Sequence, residues 1–417
     1  MDKFIIEGGR PLYGEVEIQA AKNAVLPLLA ASILTDERVM IHKCPRISDV
    51  LNMIQILNEL GCKTHFDQDT LVIDSADAAS HEIPSALAKE LRSSVFMLGS
   101  VISRFGRARI AYPGGCDIGL RPIDLHLKGL KSLNVKISEE GGYINCSCDR
   151  LTGADVLLDC PSVGATENII LASVKAKGFT VIRNAAKEPE IADLQNFLNK
   201  MGAKIAGGGT STVVIRGVEK LGGVEYTPMP DRIEAGTFLI ASAMCGGEIT
   251  VKNADANNIV SLIHKLREIS CKITVKNDKI YIASKERRSP KLVETMPYPG
   301  FPTDLQAPMT ALASISEGST LIVENLFETR FKHVPELIRM GADITVRGRT
   351  AFVRGVKRLH GADVVAGDLR GGAALTLAAV SADGLSTVTD LSHIDRGYSD
   401  FEYKLSGLGA KIRRVRI

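Results

Sequence analysis

The segment Tyr112-Pro113-Gly114-Gly115-Cys116-Asp117-Ile118-Gly119-Leu120-Arg121-Pro122 sets three glycines around one cysteine. Glycines let a backbone approach a ligand or move as a lid, and Arg121 supplies a nearby positive charge. A thiol in such a loop can protonate a substrate or attack it; the alternative is an incidental loop thiol. No Gly-Lys-Ser/Thr follows, so this is not a Walker phosphate loop, nor is it a dinucleotide fingerprint. Lys22, Arg92, Arg232 and Arg370 form a second set. Each falls at or beside the start of an apolar helical segment, where the helix dipole disfavours a cation by roughly 0.3–1 kcal/mol. Free amide N–H groups plus a cation make an anion site. Any one of these cations alone reads as a solvated or salt-bridged residue; their recurrence at equivalent positions favours the anion reading.

The elements that carry these residues repeat. A helix ending in a large apolar residue, then a turn and a strand, recurs at Leu60-Gly61-Cys62, Leu133-Asn134-Val135, Met201-Gly202-Ala203, Ile269-Ser270-Cys271, Met340-Gly341-Ala342 and Leu408-Gly409-Ala410, in steps of 73, 68, 68, 71 and 68 residues. Upstream of each lies an almost uncharged, small-residue-rich helical segment: 23–34, 94–102, 164–174, 234–243, 305–315 and 371–380. A helix apolar all round is a buried one, so six of them place helices inside and strands outside. β-branched strands (249–251, 319–323, 386–388) and amphipathic helices (49–60, 334–340) complete the unit. It reads βαβαββ, six times over, three per domain, with the two prolines of Tyr226-Thr227-Pro228-Met229-Pro230 as the linker candidate. If the buried helices converge in two facing domains, the four cations surround a cleft fit for a polyanion. Repeat spacing alone also fits a solenoid that binds a partner on one face.

At 417 residues the chain exceeds what one core sustains, and its net charge of +3, from 51 basic and 48 acidic residues, excludes a dedicated nucleic-acid surface. Eight scattered cysteines are too sparse for a disulfide scaffold, so they read as reduced thiols. Cys146 and Cys148 alternate along a strand without a second ligand pair, and the histidines lack ligand spacing, so no metal is expected. Nothing resembles a signal peptide or a membrane span, which makes a soluble, cytoplasmic protein with no membrane partner the expectation.

Eight ordered motifs make the whole chain resemble the enolpyruvyl transferases. They are the cysteine loop, Gln19-Ala20-Ala21-Lys22-Asn23-Ala24, Pro161-Ser162-Val163-Gly164-Ala165-Thr166-Glu167-Asn168, Pro230-Asp231-Arg232-Ile233-Glu234-Ala235-Gly236-Thr237, Pro299-Gly300-Phe301-Pro302-Thr303-Asp304, Phe327-Glu328-Thr329-Arg330-Phe331, Asp368-Leu369-Arg370-Gly371-Gly372 and His393-Ile394-Asp395-Arg396-Gly397. Single residues beside Arg92 and Arg370 depart from the commoner forms. The resemblance implies a two-domain inside-out α/β barrel with its active site between the domains. The expected domains are 18–229, carrying the cysteine loop, and 1–17 with 230–417, since the family places the first strand with the C-terminal domain.

The implied reaction moves the enolpyruvyl group of phosphoenolpyruvate to the 3'-hydroxyl of UDP-N-acetylglucosamine by addition and elimination, without a cofactor, at the entry to peptidoglycan synthesis. Family positions make Cys116 the proton donor, able to form a pyruvyl adduct, and Asp304 the base. Thr303 and Asp304 also open a helix, which either residue can simply cap. The resemblance has Lys22, Arg121 and Arg396 hold the phosphate, with Asn23, Arg330 and Arg370 nearby. It gives the UDP-sugar Asn23, Arg92, Arg121, Pro122, Ile123, Asp124, Leu125, Ser162, Val163, Asp304 and Leu326. Arg370 and Arg396 have interdomain salt bridges as their alternative, and Glu328 the orienting of its neighbours. A cysteine at 116, where some relatives carry aspartate, implies alkylation by the epoxide fosfomycin. Gly114-Gly115-Cys116 argues against the family branch that takes shikimate 3-phosphate; a binding paralogue without turnover is expected to have lost acid, base or arginine positions.

Overall fold

The computed structural model describes residues 2–114, 118–119, 122–285 and 288–416, which leaves Cys116 and Arg121 outside the described residues. Each expected repeat ends in the same backbone device. Gly61, Asn134, Gly202, Ser270, Gly341 and Gly409 all have left-handed φ, from 69° to 102°. The N–H of the next residue then reaches back to a leucine carbonyl five residues earlier, at 3.0–3.2 Å: Cys62 to Leu57, Val135 to Leu130, Ala203 to Leu198, Cys271 to Leu266, Ala342 to Leu337 and Ala410 to Leu405. This six-to-one closure satisfies a carbonyl that the helix end would strand, and it turns the chain into the next strand. Glycine adopts that φ without strain at four of the six positions.

Among the described residues the strands form six four-stranded sheets. In one, Asp155–Leu157 runs parallel to Phe179–Arg183, which pairs antiparallel with Thr212–Arg216, and Lys204–Ala206 takes the far edge. Leu292–Glu294, Ser319–Val323, Thr350–Arg354 and Asp343–Arg347 repeat the pattern. Such strands alternate buried and exposed positions, as Thr212–Arg216 does, so each sheet turns one face inward and one to solvent.

The described residues divide into two units. Residues 20–114 and 122–229 form the N-terminal unit; 2–19, 118–119, 230–285 and 288–416 form the C-terminal unit. Each holds three sheets. In the C-terminal unit Leu12–Glu17 runs parallel to Gly247–Lys252, while Asp2–Glu7 lies antiparallel between Leu385–Thr389 and Lys411–Arg416. In the N-terminal unit Val224–Tyr226 returns to pair with Val39–Ile41.

Inside each unit three helices touch pairwise: Lys22–Ser32, Phe96–Phe105 and Val163–Ser173 in one, Arg232–Cys245, Gln306–Ser314 and Leu369–Ser381 in the other. Every residue of Arg232–Cys245 is buried, Arg232 and Glu234 at its start included, as the uncharged run that follows them requires. Their small residues allow close approach. A methyl group on Gly99 would sit 2.3 Å from the carbonyl oxygen of Asn168 on the neighbouring helix. The inside-out α/β architecture of six βαβαββ repeats, three per unit, is thus the one expected from the repeat count, and each unit encloses its own apolar core.

Candidate active site

The helix starts that bear the cations are built differently in the two units. Lys22 opens its helix after Ala21, with no side-chain cap and no acid in the first turn. Its ammonium lies 2.7 Å from Asp49 Oδ2, and both side chains are buried. Asn23 beside it is half-buried. Arg232 and Arg370, by contrast, start helices capped by aspartates. Asp231 accepts from the N–H groups of Ile233 and Glu234, and Asp368 from those of Arg370 and Gly371 at 3.0 and 2.9 Å. The expectation of free amides beside these two arginines is therefore corrected: the caps occupy them.

Arg92 opens the short turn Arg92–Val95 and reaches both flanks of the cysteine loop. Its guanidinium donates to Pro113 O at 3.3 Å and to Pro122 O at 3.5 Å. Gly114 is pinned on the near flank, its N–H donating to Ala88 O. Beyond the loop Pro122 is exposed, Ile123 buried, Asp124 exposed at the start of Asp124–Ser132, and Leu125 half-buried. Ser162 caps the helix Val163–Ser173 by accepting from Ala165 N at 3.3 Å, and both Ser162 and Val163 are half-buried.

Deeper in this unit carboxyls accumulate. Glu167 is fully buried, and burial, then Glu190 and Glu188, push its acid well above the carboxylate range. Asp193 is raised to about 6, chiefly by burial, while the Tyr226 hydroxyl donates to it at 2.7 Å. A cavity of about 200 Å³ lies among Ile33's neighbours Leu34 and Thr35, with Arg104, Phe105, Lys175 and Lys220. That is the end of the buried helices opposite Lys22, and no residue singled out in the sequence lines it.

In the C-terminal unit three motifs meet at Asp304. Arg330 Nη2 donates to its Oδ1 and Arg370 Nη2 to its Oδ2, the latter at 3.1 Å. Both arginine side chains are almost wholly buried, whereas Asp304 keeps about a quarter of its surface. The N-cap position of the short helix Thr303–Leu305 is Pro302, without a side-chain cap; Asp304 sits in its first turn facing the arginines, and Thr303 Oγ1 donates to Glu324. Arg370 pairs with Asp304 of its own unit. Its guanidinium stands 5.3 Å from the ring centre of Tyr398, whose hydroxyl is 2.9 Å from Thr237 Oγ1.

Among the described residues Arg330 Nε and Arg370 Nε and Nη1 meet no acceptor of good hydrogen-bond geometry. Among the described residues neither ring nitrogen of the buried His333 has a partner of good hydrogen-bond geometry, and burial first, with Arg330 adding and Asp368 and the Arg330 backbone opposing, lowers its pKa to about 4. Glu324 accepts from the Leu326 and Phe327 N–H groups, shaping the turn before Arg330, and Leu326 is half-buried. Glu328 pairs with Arg349, and the loop residues Ile118 and Gly119 lie on this turn: Thr329 N donates to Ile118 O at 3.2 Å. Arg396 ends the turn Ile394–Arg396 and is half-buried.

The family model of EPSP synthase (3-phosphoshikimate 1-carboxyvinyltransferase) matches residues 6–405. The chain belongs to the enolpyruvyl transferase family. A UDP-N-acetylglucosamine 1-carboxyvinyltransferase 2 of Caldanaerobacter subterraneus subsp. tengcongensis is 53% identical over 416 residues, covering 100% of both chains. One of Carboxydothermus hydrogenoformans is 49% identical over 417 residues, with the same coverage. Among solved structures, the enolpyruvyl transferase NikO from Streptomyces tendae superposes with a TM-score of 0.89 at 26% identity over 99% of this chain and 98% of that one. EPSP synthase from Acinetobacter baumannii gives 0.77 at 17% identity over the full length of both chains, a likeness of fold.

Sequence reasoning missed Asp49, Glu324 and His333. Asp49 reads as a solvated first-turn acid of an amphipathic helix and Glu324 as a strand-end charge. His333 stands two residues beyond the Phe327–Phe331 motif, and that proximity was the available signal.

Proposed function

We propose that this enolpyruvyl transferase uses phosphoenolpyruvate and UDP-N-acetylglucosamine, forming the enolpyruvyl ether at the sugar 3'-oxygen and releasing inorganic phosphate. The observation that carries the reading is the carboxylate of Asp304 held between two buried arginines that keep unmet donors. Such donors suit an oxyanion, and guanidinium forks match phosphate and carboxylate geometry. A dianion that draws Arg330 and Arg370 to itself loosens their hold on Asp304, whose oxygen then accepts the proton of the attacking hydroxyl. The acceptor is chosen on full-length relatives at 53% and 49% identity that carry the UDP-sugar name, against 17% for the EPSP synthase structure.

In the addition step the sugar oxygen bonds to carbon 2 of phosphoenolpyruvate, carbon 3 takes a proton from Cys116, and Asp304 receives the hydroxyl proton. In the elimination step carbon 3 returns a proton, the double bond re-forms and the carbon–oxygen bond to phosphate breaks. Lys22, Arg121 and Arg396 hold the phosphate, with Arg330 and Arg370 close by; Asn23, Arg92, residues 121–125, Ser162, Val163 and Leu326 take the UDP-sugar. The reading places the protein in the cytoplasm at the first committed step of peptidoglycan synthesis, and makes Cys116 the nucleophile that fosfomycin alkylates. No helix of the described residues is long and apolar enough to cross a membrane.

The test is phosphate release from phosphoenolpyruvate with UDP-N-acetylglucosamine, shikimate 3-phosphate or no acceptor, in wild type and Cys116→Ala. Release with the UDP-sugar alone, lost or trapped as an intermediate in the variant, is the expected result. Release with shikimate 3-phosphate overturns the acceptor assignment, and no release at all indicates a binding paralogue.

A further inference from the structure

Arg414 belongs to the last strand and is given no role above. It lies in Lys411–Arg416, opposite Phe4 of the neighbouring strand, with its guanidinium 5.2 Å from the Phe4 ring centre. Nη1 and Nη2 donate to Oδ2 and Oδ1 of Asp395 at 2.9 and 2.6 Å, a two-point fork. Nε donates to Glu402 Oε1 at 2.8 Å, and Nη1 lies 3.5 Å from Asp2 Oδ2. Asp395 immediately precedes Arg396 in the turn Ile394–Arg396.

That turn is gripped again on its other flank. Gln19 Nε2 donates to Gly397 O at 2.9 Å, and Ser399 N donates to Gln19 Oε1 at 3.1 Å. A single short turn has few bonds of its own, here Asp395 N to Leu391 O and Gly397 N and Tyr398 N to Ile394 O. Its orientation is therefore set by what holds it from outside.

We propose that Arg414 is a positioning residue for Arg396: through the fork to Asp395 it fixes the turn that aims the Arg396 guanidinium at the phosphate of phosphoenolpyruvate. The proposal rests on the reading of Arg396 as a phosphate contact. One cation here faces three carboxylates, Asp2, Asp395 and Glu402. Charge balance alone would be met by lysine, a point charge on a flexible stem; holding the turn in one orientation needs the planar fork. Arg414→Lys therefore separates the two roles, and Asp395→Asn tests the same link from the other end without removing the side chain's shape.

The experiment is steady-state kinetics, varying each substrate, on wild type, Arg414→Lys, Asp395→Asn, their double variant and Arg396→Ala, with thermal unfolding of each. Both single variants are expected to raise the KM for phosphoenolpyruvate about 5- to 10-fold, since small misplacement of a binding group is felt strongly. The KM for UDP-N-acetylglucosamine should stay within about twofold. The double variant should be no worse than the worse single, because the two residues act as one unit. An unchanged phosphoenolpyruvate KM in both singles, with only a lower unfolding temperature, reduces the network to a structural one and overturns the proposal, as do single effects that multiply in the double. An unchanged phosphoenolpyruvate KM in Arg396→Ala overturns the phosphate reading itself, a result distinct from any Arg414 outcome.

Discussion

The two units share a frame of three sheets around three helices, and each buries both acids and bases, but the groups left most exposed to the cost of burial differ. In the N-terminal unit two acids stand out: Glu167, whose Oε1 accepts no hydrogen bond among the described residues, and Asp193, both raised by burial. In the C-terminal unit buried acids such as Glu234 and Glu324 have partners, and the groups that stand out are the two arginines at Asp304 and a neutral His333. A repeat fixes where helix ends lie, but not which charge is put there. Burial then drives each group toward its uncharged form, so the two acids hold their protons to higher pH and the histidine gives one up. Arginine cannot do so at any ordinary pH, and its unmet donors are left for an anion.

The sharpest way to break the contrast is Arg370→Gln. With the neutral side chain, kcat/KM should fall about 100- to 1,000-fold, roughly 3–4 kcal/mol of transition-state stabilisation, read by steady-state kinetics. Near-normal activity would mean that Arg370 serves only to neutralise Asp304. Next in size is a pH effect. His333 has a folded pKa near 4 against an ordinary 6.5, so its contribution to stability is present above pH 6.5 and is lost as pH falls toward 4, by up to about 3 kcal/mol. Denaturant titrations of His333→Phe should show a flatter dependence over that window than wild type.

Asp193 runs the other way. Its folded pKa of about 6 exceeds the ordinary 3.8, so the protonated fold is favoured at low pH and stability falls as pH rises from about 4 to 6. Asp193→Asn retains an acceptor for Tyr226 and should gain on wild type by about 2–3 kcal/mol between pH 4 and 7.5. Equal slopes in the two variants would dissolve the contrast between units. The smallest effect is expected at Gly407, the last residue of Phe401–Gly407, where an added methyl meets nothing within 4 Å. Gly407→Ala should stabilise by about 0.5–1 kcal/mol, seen as a modest rise in Tm.

The fold was legible because its repeat is written in backbone chemistry. Leu60-Gly61-Cys62 and its five counterparts each mark a helix end whose left-handed residue glycine favours, and the uncharged segments between them could only be buried. The site was legible in part. Lys22 and Arg370 stood out because cations rarely open apolar helices, and Arg330 through the resemblance of its motif. That Asp304 holds both arginines was not, since Thr303-Asp304 before a helix looks the same whether it caps or pairs. His333 carried no signal of its own: a buried imidazole differs from a surface one only in what surrounds it.

Asp2 and Arg416 face each other as partners across adjacent strands of one sheet. The first and last described strands are thus neighbours, and residues 2 and 416 lie side by side. Joining the two ends with a short peptide and opening the chain between Met229 and Pro230 would give a circular permutant in which residues 230 to 19 run uninterrupted. Synthesis of the rearranged polypeptide would then complete the strands of that half in succession, instead of leaving the first strand to wait for partners made at the very end.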